Sequence, residues 1–220
     1  MTPAHFTNLA IHVSAGTVAL GIGFSILARP KGTPAHRRLG RLFGYVTAVV
    51  CASAAAGTML FHFVPIFAVL SVLVPYQLFG GWRAVRTRSQ GPAWPDAACT
   101  LLACALFVAL VPAVRAHPAE APVVVYSSLG ALASVLLYDA LRWTFPCRWY
   151  RTLWKYEHSY KLIACVFGML SALVGNVVRV GQPWSQILPS ALGALVIAYY
   201  FARIHREDRR RRLAPRAVGA

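Results

Sequence analysis

Residues 97–114 read AACTLLACALFVALVPAV, a run of 18 residues without a charged side chain. An α-helix needs about 20 consecutive apolar residues to cross the hydrocarbon core of a bilayer. This stretch therefore predicts a transmembrane helix, and it indicates the class to which the whole chain belongs.

The composition of the whole chain agrees with a membrane protein. Of its 220 residues 58% are hydrophobic and 13% are charged, and the mean hydropathy is +0.56. Soluble domains carry about 25% charged residues, so a soluble fold of this composition could not cover its surface with polar groups. The net charge is +16, but the basic residues lie in short gaps between apolar runs. Because no groove-reading motif or zinc-finger spacing is present, nucleic acid is not expected as a partner.

Six more apolar runs surround the first one, and each is bounded by proline, glycine or charged residues. With residues 97–114 included, the seven runs are Asn8–Ala28, Leu42–Phe61, Ile66–Trp82, Ala97–Val114, Val123–Leu141, Leu162–Val178 and Trp184–Phe201. The sequence therefore predicts an all-α fold, a polytopic membrane helix bundle of about seven transmembrane helices within residues 1–205. Residues 206–220 are predicted to form a basic, disordered cytoplasmic tail. No basic segment precedes the first run, so that run is expected to stay in the protein.

The basic residues are distributed unequally between the two sides of the predicted bundle. The gaps after the first, third and fifth runs and the C-terminal tail hold 20 of the 22 Lys and Arg residues. The positive-inside rule places these segments in the cytoplasm, which puts the N-terminus outside and the C-terminus inside. The expected partners are the lipid bilayer, anionic lipid headgroups at the basic loops and tail, and a membrane-protein partner.

Histidines form two candidate pairs, one near each predicted face of the membrane. His12 and His62 share a depth near the outer face, and His36 and His158 share a depth near the cytoplasmic face. This is the layout of a transmembrane protein that binds haem b at two sites, because imidazole is a common axial ligand of haem iron. Imidazole also suits copper and zinc, so the metal is left unassigned. The same histidines also fit a structural or headgroup role, or the handling of protons or substrate.

Other polar residues at or inside the predicted membrane are candidates because such groups are costly there. An acid is unfavourable at a helix C-terminus, so Asp139, at the end of the fifth run, is expected to have a cationic partner. The candidate partners are Arg37, Arg142 and Lys161. Glu157 and His158 are expected to open the sixth helix, and Asn176 and Arg179 to form a polar site with His12. The complete set of polar candidates is Asp139, Glu157, Lys161, Asn176, Arg37, Arg41 and Arg83.

The sequence contains no nucleophile elbow, phosphate-binding loop, zinc-protease helix or adjacent pair of carboxylates. Hydrolases and kinases are therefore not expected, and no catalytic residue is assigned. Buried carboxylates are also too few for a typical ion-coupled pump.

Several motifs resemble a family of uncharacterised bacterial multi-pass membrane proteins, which is classed as a domain of unknown function. The most specific is KGTPAHRRLGR at residues 31–41, supported by HVSAG at 12–16, GGWR at 80–83, and the segment from Glu157-His158 to Asn176. The resemblance implies a bacterial cytoplasmic (inner) membrane location but no established activity. The positions it implies for testing are His12, His36, Arg37, Gly40, Arg41, Arg83, His158 and Asn176. The chain departs from the family pattern at Lys161, where a small or apolar residue is expected.

Three functions stay open at this point. The first is a non-catalytic membrane scaffold or accessory subunit, which predicts dry packing and a stable partner. The second is a haem- or metal-binding protein of electron transfer or oxidase assembly, which predicts a coloured protein. The third is a transporter or channel for a small solute or proton, which predicts a water-filled path lined by polar residues.

Overall fold

The computed structural model describes residues 2–117, 121–178 and 180–213, without the side chains of residues 211 and 212. Within this part of the chain the fold is a bundle of seven long α-helices. They are α1 (Pro3–Ala28), α2 (Pro34–Ala56), α3 (Pro65–Thr87), α4 (Trp94–Ala116), α5 (Pro122–Leu141), α6 (Tyr150–Val177) and α7 (Trp184–Leu213). All seven are long and apolar enough to cross a membrane. The prediction of an all-α, seven-helix membrane bundle is confirmed.

Proline and threonine determine where the first two helices begin. Pro3 and Pro34 lie in the first turns of α1 and α2, where the missing N–H of proline costs nothing. Thr2 and Thr33 precede them and accept hydrogen bonds from the backbone N–H groups three residues ahead. These caps satisfy amide groups that the helices cannot satisfy themselves.

Helices α2, α6 and α7 extend well beyond their predicted apolar runs. Helix α2 begins at Pro34, ahead of the predicted Leu42, and the π-helical turn Gly57–Phe61 continues it to the predicted end. Helix α6 begins at Tyr150, so Glu157 and His158 lie well inside it and do not open it as predicted. Helix α7 continues to Leu213, so residues 206–213 of the predicted disordered tail are helical, and residues 214–220 lie outside the described residues.

Helices α3 and α6 form the centre of the bundle. They pack along each other, α1 and α2 pack on one side of this pair, and α4 and α5 pack against α3 on the other side. Helix α7 packs against α6. One core cluster joins α1, α2, α3 and α6 around Phe43 and Val166, and another joins α3, α4 and α5 around Leu73 and Leu132.

The connections divide the bundle into two ends with different charge. The loops after α1, α3 and α5 and the C-terminal part of α7 share one end, which we call the basic end. The connections after α2, α4 and α6 share the other end, which we call the opposite end. The buried charged side chains lie near the basic end, whereas cavities lie between the helices toward the opposite end.

Close packing between α6 and α7 depends on Gly193. A Cβ atom at this position would lie 2.7 Å from the Cβ of Phe167, which has no freedom to move away. We therefore expect Gly193→Ala to destabilise the protein by about 1–3 kcal/mol. Thermal unfolding of the detergent-purified protein, followed by circular dichroism, measures the loss.

Gly44→Ala is the matched control, because nothing lies within 4 Å of a Cβ atom built at Gly44. In an open helical position alanine is favoured over glycine. We expect this variant to unfold at the same or a slightly higher temperature. Equal unfolding temperatures for the two variants would contradict the assigned α6–α7 contact.

Candidate functional site

Six ionisable side chains from four consecutive helices and the turn that follows α5 meet near the basic end. We call them the buried charge network: Arg83 (α3), Asp96 (α4), Asp139 (α5), Arg142 (after α5), Glu157 and Lys161 (α6). The chain has only six acidic residues, and three of them are in this network. With all six groups ionised the network has no net charge.

The most deeply buried member is Lys161. Its side chain is 1% exposed, and its Nζ donates to both carboxylate oxygens of Asp139 at 2.7 Å. The Tyr76 hydroxyl also donates to Asp139, at 2.7 Å. Because that hydroxyl has a single proton, the 2.9 Å contact between Tyr76 and Thr100 requires the Thr100 hydroxyl to be the donor. One chain of hydrogen bonds therefore connects α6, α5, α3 and α4.

Glu157 holds the second part of the network. It accepts a hydrogen bond of 2.7 Å from Arg142 Nη1 and another of 2.7 Å from the hydroxyl of Tyr138. The main chain of Arg142 is also held, because the Tyr150 hydroxyl donates to its carbonyl oxygen at 2.6 Å. Arg142 therefore has a fixed backbone and a fixed side chain, although it follows the end of α5.

Asp96 completes the network. Arg83 donates to its two carboxylate oxygens at 3.1 and 2.9 Å, which is the bidentate arrangement that guanidinium favours. The backbone N–H of Ala93 adds a third donor at 2.8 Å. Arg142 Nη2 lies 3.8 Å from Asp96, and Arg142 Nη1 lies 3.9 Å from Asp139, so Arg142 connects all three acids.

Glycines on α3 make room for this arrangement. A Cβ atom on Gly80 would lie 2.8 Å from Lys161 Nζ, and one on Gly81 would lie 2.8 Å from the side chain of Leu162. The carbonyl of Gly81 lies 3.0 Å from His158 Nδ1, and because a carbonyl can only accept, Nδ1 carries the proton. The GGWR motif is thus explained by packing against α6 and by the contact of Arg83 with Asp96.

The histidines of the basic end face each other. The ring centroids of His36 and His158 are 6.4 Å apart and the ring planes are inclined by 76°. His36 Nδ1 is buried and has no hydrogen-bond partner in the described part of the chain. Neither of the two large cavities described below is lined by these two residues.

The histidines of the opposite end line one cavity of about 440 Å³ between α1, α2, α3 and α6, together with Asn176. Ser53 donates its hydroxyl proton to the carbonyl of Val50, so its oxygen accepts the proton on His12 Nδ1 at 3.0 Å. In neutral His12 this leaves Nε2 with a free lone pair. The free Nε2 of His12 therefore fits a haem or metal ligand, whereas His62 is exposed and lines both this cavity and the next. No group of three or more His, Cys, Asp or Glu residues able to hold a metal ion occurs among the described residues.

A second cavity, of about 640 Å³, lies between α3, α5, α6 and α7. Hydroxyl and amide side chains line it from all four helices and from the turn before α7. They are Gln77, Ser127, Ser128, Ser171, Asn176, Gln182, Gln186 and Ser190. Its deepest lining residues on α3 and α6 are Gln77 and Ala164. Since one helical turn covers about 5.4 Å, this floor lies about one turn from Gly80 and Lys161.

The structure places the remaining sequence candidates in three ways. Asp139 pairs with Lys161 and Arg142, as predicted, whereas Arg37 is exposed and does not pair with Asp139. Arg41 is also exposed on α2. Asn176 and His12 line the same cavity, and Arg179 lies outside the described residues. The sequence reasoning did not identify Tyr76, Gln77, Asp96 or Tyr138 as site residues.

Lys31, in the loop before α2, closes the end of α1. Its Nζ donates to the carbonyls of Ile26 at 2.6 Å, Leu27 at 2.9 Å and Arg29 at 2.9 Å. The last carbonyls of a helix have no amide donor one turn ahead. Here the Ile26 carbonyl also accepts from the Arg29 N–H, and the Leu27 carbonyl from the Tyr200 hydroxyl. Partial burial, followed by the nearby charge of Arg203, lowers the pKa of Lys31 below its usual value. The first residue of the KGTPAHRRLGR motif is therefore a helix cap.

No protein-family model matches the chain, and no curated protein or solved structure is significantly similar to it. The family resemblance of its motifs therefore stays a prediction.

The Lys161–Asp139 pair makes a testable contribution to stability. Removing one partner of a buried ion pair leaves an uncompensated charge, which costs about 3–5 kcal/mol. We expect Lys161→Met to lower the unfolding temperature strongly. The double variant Lys161→Met/Asp139→Asn is expected to recover most of that loss, because neither charge is then unpaired and the amide oxygen that replaces the carboxylate can still accept from Tyr76.

Arg203→Met is the control for this comparison. It removes an exposed ion pair with Glu207, and such pairs contribute about 0–1 kcal/mol. We expect little change in its thermal unfolding. A double variant no more stable than Lys161→Met alone would show that the two side chains are not coupled as described.

Proposed function

We propose that this protein provides a path across the membrane for a small polar solute. The observation that carries this proposal is the second cavity, whose hydroxyl and amide lining reaches from the opposite end to Gln77 in the middle of α3. Polar groups at this depth are unfavourable in a dry helix bundle. Solute sites in membrane carriers are commonly found near the middle of the bilayer between packed helices.

The buried charge network supports the proposal because it lies beyond the floor of this cavity. Lys161 and Asp139 occupy the space through which a solute would have to continue toward the basic end. Ion pairs between α5 and α6, and between α3 and α4, hold the helices together there. In this proposal the network is the closed end of the path, and the described conformation is accessible from the opposite end only.

The orientation of the path follows from the distribution of basic residues. We infer that the basic end is cytoplasmic and that the cavity opens outside, in the bacterial inner membrane that the motif resemblance implies. Anionic lipid headgroups would then surround the exposed arginines of the basic end, including Arg37 and Arg41. A lipid contact accounts for these two side chains better than a role in the path.

The two other hypotheses are supported less well. A scaffold or accessory subunit requires dry packing, whereas two cavities of about 440 and 640 Å³ separate the helices at the opposite end. Haem binding has suitable donors in His12 and His62, but at the basic end His36 and His158 adjoin neither cavity. A membrane-protein partner remains compatible with a solute path.

Water access to the second cavity can be measured by cysteine labelling. In a background with the five native cysteines replaced by alanine, Ser128→Cys places a thiol in the cavity wall. We expect a membrane-impermeant, cationic methanethiosulfonate to label it from the opposite end, because the thiolate that reacts forms only where water reaches. Right-side-out and inside-out vesicles distinguish the two sides of the membrane.

Ser134→Cys is the matched control on the same helix, since Ser134 is exposed on the bundle surface and does not line the cavity. In the bilayer this position contacts lipid and should react far more slowly. Equal labelling of the two positions, or labelling of Ser128→Cys from the basic end alone, would count against the proposed path.

An absorption spectrum separates the solute path from the redox alternative. We expect protein purified from haem-supplied cells to show no Soret band before or after reduction with dithionite, because in the proposed path the histidines hold no cofactor. A Soret band that sharpens on reduction and disappears in His12→Ala or His158→Ala would instead establish haem ligation.

A further inference from the structure

Gln77 is a buried amide that opens into the second cavity. It is 4% exposed and lies at the cavity floor, yet its side chain has no hydrogen-bond partner among the described residues. An amide withdrawn from water without a hydrogen-bond partner is unfavourable. The cavity that Gln77 lines can supply that partner, so this position points to a ligand or to water that a ligand replaces.

The mouth of the same cavity presents hydrogen-bond acceptors. Asn176 uses its NH₂ group to donate to the carbonyl of Ala172 at 2.7 Å. Gln182 and Gln186 use theirs to donate to the carbonyl of Gly175 at 3.1 and 3.4 Å. Because a backbone carbonyl can only accept, these bonds fix which amide atom is which. The three amide oxygens have no donor among the described residues.

The charge of the lining residues further restricts which class of ligand the cavity can bind. None of the described residues that line it is Asp, Glu, Lys or Arg, and its one ionisable lining residue among them is His62, an exposed imidazole at the mouth. A lining without a fixed charge does not compensate the cost of desolvating an ion. Free amide oxygens at the mouth and a free amide at the floor instead match a neutral molecule that carries N–H or O–H donors.

We propose that the second cavity binds an uncharged solute bearing N–H or O–H donors, with Gln77 as its deepest contact. This inference rests on the proposed path and names its substrate class. The solute enters between α5 and α7, passes the amide oxygens of Asn176, Gln182 and Gln186, and pairs with Gln77 at the floor. The hydrogen-bond donors of the solute determine specificity. A solute without donors would leave acceptors of the cavity buried and unpaired, which weakens its binding.

Two isomeric probes test this directly. Butyramide and N,N-dimethylacetamide have the same atoms and similar volume, but only butyramide has N–H donors. Each is added to the Ser128→Cys protein during methanethiosulfonate labelling, and the concentration that halves the labelling rate is measured. We expect butyramide to protect at a concentration lower by a factor of roughly three to ten, as one net hydrogen bond provides.

Variants of the Ser128→Cys protein then show which residues cause the preference for butyramide. Gln77→Met keeps the size of the side chain and removes its polar groups, so it should abolish the difference between the isomers. Gln186→Met, at the mouth, should reduce it. Gln90→Met is the control, because Gln90 is exposed at the basic end and does not line the cavity, and it should leave the difference unchanged. An unprotected labelling rate equal to that of the parent shows that each variant is folded.

The outcomes separate this inference from the proposed path. Equal protection by the two isomers, or protection by neither, overturns the assignment of a donor-bearing solute while leaving water access established. A preference that persists in Gln77→Met overturns the role of Gln77. If Ser128→Cys is not labelled at all without probes, the path itself fails and the inference fails with it.

Discussion

The pairing of Lys161 with Asp139 is the interaction on which the rest of this structure depends. A lysine that is 1% exposed inside an apolar bundle is tolerated only because its ammonium group meets a carboxylate at 2.7 Å. That contact sets the depth of α5 relative to α6. The hydroxyl of Tyr76 fixes α3 on the same carboxylate, and Thr100 adds α4. Four helices are thus placed by one ion pair and the hydroxyl groups around it.

The bundle uses its two ends differently. Near the basic end, small residues such as Gly80 and Gly81 allow α3 and α6 to approach closely, and ionic contacts hold them. Toward the opposite end the contacts are weaker hydroxyl and amide pairs, such as Ser171 with Ser190 at 2.8 Å. The cavities form at this end, where the helices are joined by hydroxyl and amide pairs and not by ionic contacts. Closure at one end and space at the other is the arrangement expected of a path in one of its states.

The fold was predictable from the sequence because bilayer thickness and the charge distribution act on whole runs of residues. Length and hydropathy located seven spans. The ends of the helices were harder to predict. Helices α6 and α7 continue into polar residues, and these residues are helical because the two helices pack against each other. Lys155 of α6 and Asp208 of α7, 2.5 Å apart, form one such contact.

The site was only partly predictable. Unusual polar residues such as Asp139 and Lys161 could be recognised singly, since each is costly in a membrane. The partners of these residues could not be predicted, because which side chains face each other depends on the rotation of each helix about its axis and not only on depth in the membrane. In the sequence Asp96 resembles an ordinary residue at a helix start, and Tyr76, Tyr138 and Gln77 resemble ordinary interfacial or core residues. The role of the tyrosine hydroxyls becomes evident only in the structure, where they donate hydrogen bonds to carboxylates.

The spacing of the ion pairs along the chain also bears on how the protein can be made. Arg83 and Asp96 are 13 residues apart, Arg142 and Glu157 are 15 apart, and Asp139 and Lys161 are 22 apart. Each acid therefore meets its cation in the same or the next helical hairpin to leave the ribosome. No ionised side chain of the network has to stay unpaired in lipid until a distant segment is inserted. The network can therefore be assembled one helical hairpin at a time as the chain enters the membrane.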